Sequence, residues 1–412
     1  MTKSIAMLML TAVSFCTIKA SALQIKQAPA FKKSKAVSNT INIKSSPYFA
    51  KGDGITDDSY AIQSAIDAAG RSGAKVVFPK TSGYYVVNKG LVVNKSHVII
   101  MGNGAKIKNR TSAHVQMLAF LGTTNKHITG CGVYRLTIDG NGTVLDINAS
   151  GIIGSYVERL TIKDCRVLNA WGQGIGVGKS AKVVQILHNY VYNYWGDGIH
   201  IGDQNGGEIV ANVVVDNNTV KNGYDDGIAV TSGAHNVRFM NNLIDKTSQG
   251  AGIDISGGYN VTAANNKVYH YGQIGIRIQA YGGDAYNINV THNTVGAAPV
   301  NQFAINCFAP NLHHPESTIN IIGNTVNGNS VGLGAIYLNG TSNVFISNNI
   351  LNRTRVGISM DGLAASPNKD VRIEGNTFNG HTVAIGVGGS SINPNTIKRR
   401  NKYINTADQD DK

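Results

Sequence analysis

Asp197, His200, the adjacent pair Asp225-Asp226, Asp254 and Arg277 all fall between positions 197 and 277. Carboxylates held close together raise one another's pKa, so one of them can keep its proton near neutral pH. Glycoside cleavage needs such a set: one carboxylic acid protonates the leaving oxygen while another carboxylate activates water or attacks. On this reading Asp225 is the general acid and Asp197 and Asp226 position the water. A carboxyl separation of about 6.5–9.5 Å would mean inversion. Arg277 has the planar fork that pairs with a substrate carboxylate through two hydrogen bonds. Trp195, Tyr224 and Tyr281 offer rings to sugar faces. The same residues permit β-elimination, in which a uronate carboxyl is neutralised before the neighbouring proton leaves. Asp197, Asp226 and Asp254 would then hold Ca²⁺, which takes several oxygen ligands, with His200 as a base. Otherwise no cofactor is expected. Asp before Gly, as at 197 and 226, is also an ordinary turn residue.

These residues can meet only if the chain winds in constant register, and a recurring motif predicts that it does. A small residue, usually Gly, followed by Ile-x-Ile or a close variant recurs, with its first Ile at 175, 199, 228, 253, 276, 305, 336, 358 and 385. In phase with it runs an Asn followed two residues later by an apolar residue: Asn189, Asn218, Asn242, Asn266, Asn293, Asn324, Asn349 and Asn376. Two strand signals per turn with a variable remainder describe a solenoid of short strands, and a parallel β-helix fits best. The two Ile of each motif point inward and the residue between them outward. Aligned on the first Ile, the position two before it reads Gln173, Asp197, Asp226, Ala251, Ile274, and the position after it Gly176, His200, Ala229, Asp254, Arg277. Both columns are expected to face outward on one long face, with the stacked Asn bonded to each other at bends. Residues 58–69 read as a helix capped by Asp57 and Asp58, with Tyr60, Ile62, Ala65, Ile66 and Ala69 on one apolar face. That helix can cover one open end of the solenoid.

Phe49-Ala50-Lys51-Gly52-Asp53-Gly54-Ile55-Thr56-Asp57-Asp58, then Ala61-Ile62-Gln63 with Ala65-Ile66, then Val77-Phe78-Pro79 and Tyr84-Tyr85-Val86-Val87, resembles the opening of the pectate-lyase superfamily. That group includes polygalacturonases, rhamnogalacturonases, epimerases and phage tailspikes. The resemblance implies a right-handed parallel β-helix that handles polysaccharide, over roughly residues 46–395. Four turns resemble the polygalacturonase motifs: Asp197-Gly198-Ile199-His200-Ile201, Asp225-Asp226-Gly227, Gly250-Ala251-Gly252 and Arg277-Ile278-Gln279. Ala251 and Gln279 stand where that family has His and Lys, so the carboxylates match while two substrate-side groups do not. The resemblance also implies that Arg277 or a Lys would be the base in a lyase. Trp195, Tyr224, Asp254, Gln279 and Tyr281 form the expected substrate-binding set.

Composition agrees with an all-β chain. Gly is abundant at 48 residues, Pro is scarce at 8, and charged residues make up 15%. A long helical bundle would not tolerate so much Gly, and a disordered chain would carry more charge and less Val and Ile. The 37 Lys and Arg against 24 Asp and Glu give a net charge of +13, which suits an anionic polymer. With no nucleic-acid module in view, acidic polysaccharide is the expected partner. Residues 1–22 read as a cleaved secretory signal, with Lys3, an apolar run from Ile5 to Phe15 too short to span a membrane, and Ala20-Ser21-Ala22 as the cleavage site. No later stretch is a membrane span. A secreted or periplasmic protein is expected, with residues 23–45 a linker or early strand and 396–412 a charged tail. The tail pairs a basic run, Lys398 to Lys402, with Asp408, Asp410 and Asp411. Cys131, Cys165 and Cys307 read as buried thiols, and His313-His314 as a loop interrupting the repeat. The expected activity is a polysaccharide-degrading hydrolase acting on a uronate polymer. The alternatives are a lyase and a non-catalytic polysaccharide-binding or exopolysaccharide-assembly protein. A monomer or a trimer is expected.

Overall fold

The computed structural model describes residues 39–111, 114–142, 146, 148–203, 209–311, 313–329, 332–362, 367–388 and 393–407. The expected signal at 1–22, most of the stretch at 23–45 and the acidic end with Asp408, Asp410 and Asp411 lie outside these residues. Strands Thr40–Asn42 through Lys402–Ile404 wind into three long parallel sheets of 14, 12 and 13 strands. Each coil therefore contributes three strands, one more than the two repeats announce. The third, 14-stranded sheet is built from pairs such as Val213 and Val215, Val237 and Phe239, and Ile319 and Ile321, all buried. These pairs vary in residue type from coil to coil, so they form no repeat as plain as Gly-Ile-x-Ile.

The Ile motif marks the 12-stranded sheet. Ile175, Ile199, Ile228, Ile253, Ile276, Ile305, Ile336, Ile358 and Ile385 stand in one register column, each the partner of the next. All are buried, and at about 25 cal/mol per Å² of apolar surface such a column is a main source of stability. The Asn motif marks the bend entering the 13-stranded sheet. From Asn189 to Asn376 each side chain donates through Nδ2 to Oδ1 of the next Asn at 2.9–3.1 Å. Each is buried, so the ladder satisfies polar groups that would otherwise be costly in the interior.

The helix spans Ser59–Ser72 and buries Ile62, Ala65, Ile66 and Ala69 at the N-terminal end of the solenoid, where it packs beside Leu91–Val93. Two expectations about it change. Tyr60 is 85% exposed: it stands two residues before Ile62, roughly 200° around the helix axis, and so faces away. The Asp58 carboxylate does not cap the helix but accepts from the main-chain N–H groups of Lys51 at 2.6 Å and Gly52 at 2.9 Å. Asp57 Oδ1 accepts from Ser59 N instead, at 3.0 Å. The strand Thr40–Asn42 lies within the stretch read as linker or early strand, and Ile397–Arg399 and Lys402–Ile404 lie within the expected tail. Cys131, Cys165 and Cys307 are free and buried.

Candidate active site

The turns entering the 12-stranded sheet stack by main-chain hydrogen bonds, Gly174 N to Asp197 O and Gly198 N to Asp226 O at 2.9 Å each, and Gly227 N to Ala251 O likewise. This fixes the column Gln173, Asp197, Asp226, Ala251 that the alignment predicts. Gly250 lets the next coil come close: a Cβ there would lie 2.4 Å from Asp225 C and Asp226 N. The contact allows Ala251 N to donate to Asp226 Oδ1. Asp197, Asp225 and Asp226 thereby each bring one carboxylate oxygen within 4.8 Å of the others. Asp197 and Asp226 are buried, while Asp225 is open to solvent. These nearest oxygens stand closer than the 6.5–9.5 Å expected of an inverting pair, so the spacing alone does not carry a stereochemical outcome.

The outward column of the strands supplies the rest. His200, on Ile199–Ile201, is 3% exposed and pairs through Nδ1 with Asp197 Oδ2 at 2.6 Å. Its Nε2 faces Thr231 Oγ1 at 3.4 Å. Asp254 and Arg277 are register partners, and Arg277 Nε donates to Asp254 Oδ1 at 2.7 Å. Arg277 Nη2 reaches Asp226 Oδ2 at 3.1 Å. Ser256 Oγ donates to the Asp254 carboxylate at 2.7 Å, and Gln279 Nε2 donates to Ser256 Oγ at 2.9 Å.

Several expected roles therefore change. Arg277 does not present a free fork to a substrate carboxylate, because two buried carboxylates already occupy it. His200 is not an exposed base, because the buried Asp197 carboxylate and the Thr231 hydroxyl stand at its two ring nitrogens. Asp254 lies under Arg277, and Gln279 braces Ser256. Adjacent strands stand about 4.8 Å apart, and opposite charges stacked at that distance bind each other before they bind a ligand. The expected Ca²⁺ set of Asp197, Asp226 and Asp254 fits poorly as well: Asp226 and Asp254 share the guanidinium, which supplies the local positive charge. The three carboxylates that do gather, one oxygen each within 4.8 Å, are Asp197, Asp225 and Asp226, so Asp225 rather than Asp254 would complete an oxygen set for a cation, with water filling the remaining places. Trp195 and Tyr224 do come together, with ring centroids 5.5 Å apart, beside the trio on neighbouring coils. Tyr281 is exposed at the other end of the strands.

Crowding sets the proton affinities. Burial, then the charges of Asp254 and Asp197, push the Asp226 carboxyl up to about 9, against the pull of Arg277. Asp225 is also raised, first by the protein atoms packed around its carboxyl and then by Asp197. For Arg277, burial opposes the charge, but the hydrogen bond and charge of Asp254 outweigh it and hold the guanidinium pKa above its usual value. One residue escapes the sequence reading. Tyr194 is 2% exposed beneath the trio, and its hydroxyl has no hydrogen-bond partner among the described residues. Burial first, then Asp197, raise its pKa. A signal was present: its register partner is Gly223, where a Cβ would fall 2.0 Å from the Tyr194 ring.

The family model of the right handed beta helix region matches residues 65–244 and 150–308. Over 117 residues the chain is 34% identical to alginate lyase 7 of Azotobacter vinelandii, covering 26% of this chain and 14% of that protein. Over 166 residues it is 26% identical to the SPbeta prophage-derived uncharacterized protein YomE of Bacillus subtilis strain 168, covering 37% and 24%. The matched stretches thus span less than a quarter of these relatives' lengths. Among solved structures, the A-module of the Azotobacter vinelandii mannuronan C-5 epimerase AlgE6 superposes with a TM-score of 0.61 at 17% identity, covering 88% of this chain and 98% of that one. PfbA, a surface adhesin of Streptococcus pneumoniae, gives 0.62 at 17%, covering 90% and 91%. The catalytic unit of an α-1,3-glucanase from Streptomyces thermodiastaticus gives 0.53 at 16%, covering 92% and 70%. At these identities the likeness is one of fold. No helix among the described residues is long and apolar enough to cross a membrane.

Proposed function

The chain belongs to the right-handed β-helix family, and we propose that it is an enzyme that hydrolyses an acidic, uronate-containing polysaccharide. The observation that carries the reading is the convergence of Asp197, Asp225 and Asp226, one oxygen each, within 4.8 Å, with raised proton affinity on Asp225 and Asp226. Asp225 is the member open to solvent. Its proton passes to the glycosidic oxygen as the bond from that oxygen to the anomeric carbon breaks. Asp197, oriented by His200, and Asp226 hold the water: oxygens this close can be bridged by one water at about 2.7–2.8 Å per bond. The water adds to the anomeric carbon and its proton passes to the Asp197 carboxylate, while Asp226, which keeps its own proton, only orients the water; the products are a new reducing end and the freed leaving hydroxyl. Trp195 and Tyr224 stack on the sugar beside the cleaved bond.

Relatives that include a lyase, an epimerase and a glucanase support a polysaccharide substrate, and the net charge of +13 supports an acidic one. The second reading is a lyase, favoured by the 34% identity to alginate lyase 7. Protonated Asp225 would then neutralise the uronate carboxyl. It ranks second because two of its candidate bases, His200 and Arg277, are engaged in buried pairs, which leaves only a Lys for the role. Incubation with alginate, polygalacturonate and other acidic polysaccharides separates the readings. New reducing ends without the absorbance of an unsaturated sugar select hydrolysis. That absorbance selects elimination. Binding without cleavage selects a non-catalytic β-helix.

A further inference from the structure

At the far end of the strands that carry the aspartate trio, four rings stack along the solenoid axis. His235, Tyr259 and Tyr286 form one register column of the 14-stranded sheet. The ring centroids of His235 and Tyr259 are 4.6 Å apart with 9° between planes, and those of Tyr259 and Tyr286 are 4.7 Å apart with 2°. His314, from the loop that interrupts the repeat, closes the stack at 4.0 Å. Beside the stack lies a cavity of about 420 Å³, lined among others by Gly233, Gly257, Tyr259, Asp284, Tyr286 and His314.

The cavity is built rather than incidental. The side chain of Asp284 is only 7% exposed. It accepts from His313 N at 2.6 Å and pairs with His313 Nδ1 at 2.9 Å, which ties the His313-His314 loop to the wall. Gly257, at φ +76°, lets the backbone of Tyr281 pass where a Cβ would sit 2.4 Å from its carbonyl oxygen. At Gly233, φ +73°, an added Cβ would meet nothing within 4 Å among the described residues.

We propose that this cavity is a second subsite, which holds a pyranose unit of the acidic polymer several units from the bond that is cleaved. The inference rests on the polysaccharide reading of the trio. Stacking uses up the ring faces, so the column offers its edges. Aromatic edges carry the positive end of the ring quadrupole and, with the tyrosine hydroxyls and the imidazoles, suit an oxygen-rich, anionic sugar better than an apolar ligand. The path between the two sites is the outer face of the 12-stranded sheet, where Thr231, Ser256 and Gln279 stand in one column. Seven residues separate Asp226 from Gly233, roughly 20 Å at the rise of a strand, so only a chain of sugars reaches both.

The test is affinity electrophoresis of the full chain in gels containing sodium alginate or sodium polygalacturonate. The variants are Tyr286→Ala and Gly233→Asn; Asn is tolerated at positive φ and its side chain enters the cavity. Binding of the retained polymer is expected to weaken about tenfold or more in both, with an unchanged melting temperature, while Asp225→Asn binds as the wild type does. If Tyr286→Ala melts early, Gly233→Asn decides. A wild type that binds polymer and variants that bind it equally well would overturn the subsite and leave the polysaccharide reading standing. A wild type that binds neither polymer would overturn both.

Discussion

Arg277 Nη2 lies 3.1 Å from Asp226 Oδ2, although the two residues belong to coils two apart in the solenoid. The same guanidinium bonds Asp254 through Nε at 2.7 Å, so one cation holds together the acidic turn and the strand face. Removing the guanidinium leaves the buried Asp254 carboxylate without its 2.7 Å partner, at a cost of about 3–5 kcal/mol. Arg277→Met is therefore expected to lower stability by about that amount in denaturant titration, and a loss under about 1 kcal/mol would show that the network does not brace the site.

The raised pKa of Asp226 makes stability depend on pH. Folded, this carboxyl holds its proton up to about 9; its ordinary value is 3.8. Between those values the folded state binds the proton and the unfolded state does not, so stability falls as pH rises through the window. Asp226→Asn removes this contribution. The melting temperature of the variant minus that of the wild type is expected to increase steadily from pH 5 to pH 9; a difference that stays flat would place the proton elsewhere.

The asparagine ladder gives a prediction about the scaffold. Asn266 Oδ1 accepts from Asn242 N and Nδ2, both at 3.0 Å, and its Nδ2 donates to Phe239 O at 2.9 Å. Asn266→Ala strands these buried groups, each worth about 1–3 kcal/mol when unpaired. A loss of about 2–5 kcal/mol in unfolding free energy is expected, against almost none for Tyr60→Ala at the exposed helix face. Equal effects at the two positions would refute a structural role for the ladder.

The isoleucine and asparagine columns were legible because one residue type recurs at one place in every coil, and the register follows from that. The meeting of Asp197 with Asp225 and Asp226 was legible for the same reason: aligned turns stack. What the alignment could not give was the bonding partner of each side chain. It placed Asp254 beside Arg277, but only the folded chain shows that the two bond each other rather than a ligand. It placed His200 on the outer face, but not buried in a pair with Asp197. Tyr194 went unnoticed because Tyr at the end of a strand is unremarkable until the glycine opposite it is read together with it.

The most direct test is the turnover of acidic polysaccharide by Asp225→Asn. Loss of a general acid is expected to lower the rate of new reducing ends at least about a hundredfold, with melting temperature and polymer binding unchanged. A variant that cleaves at nearly the wild-type rate would contradict the assignment of the trio as the catalytic centre.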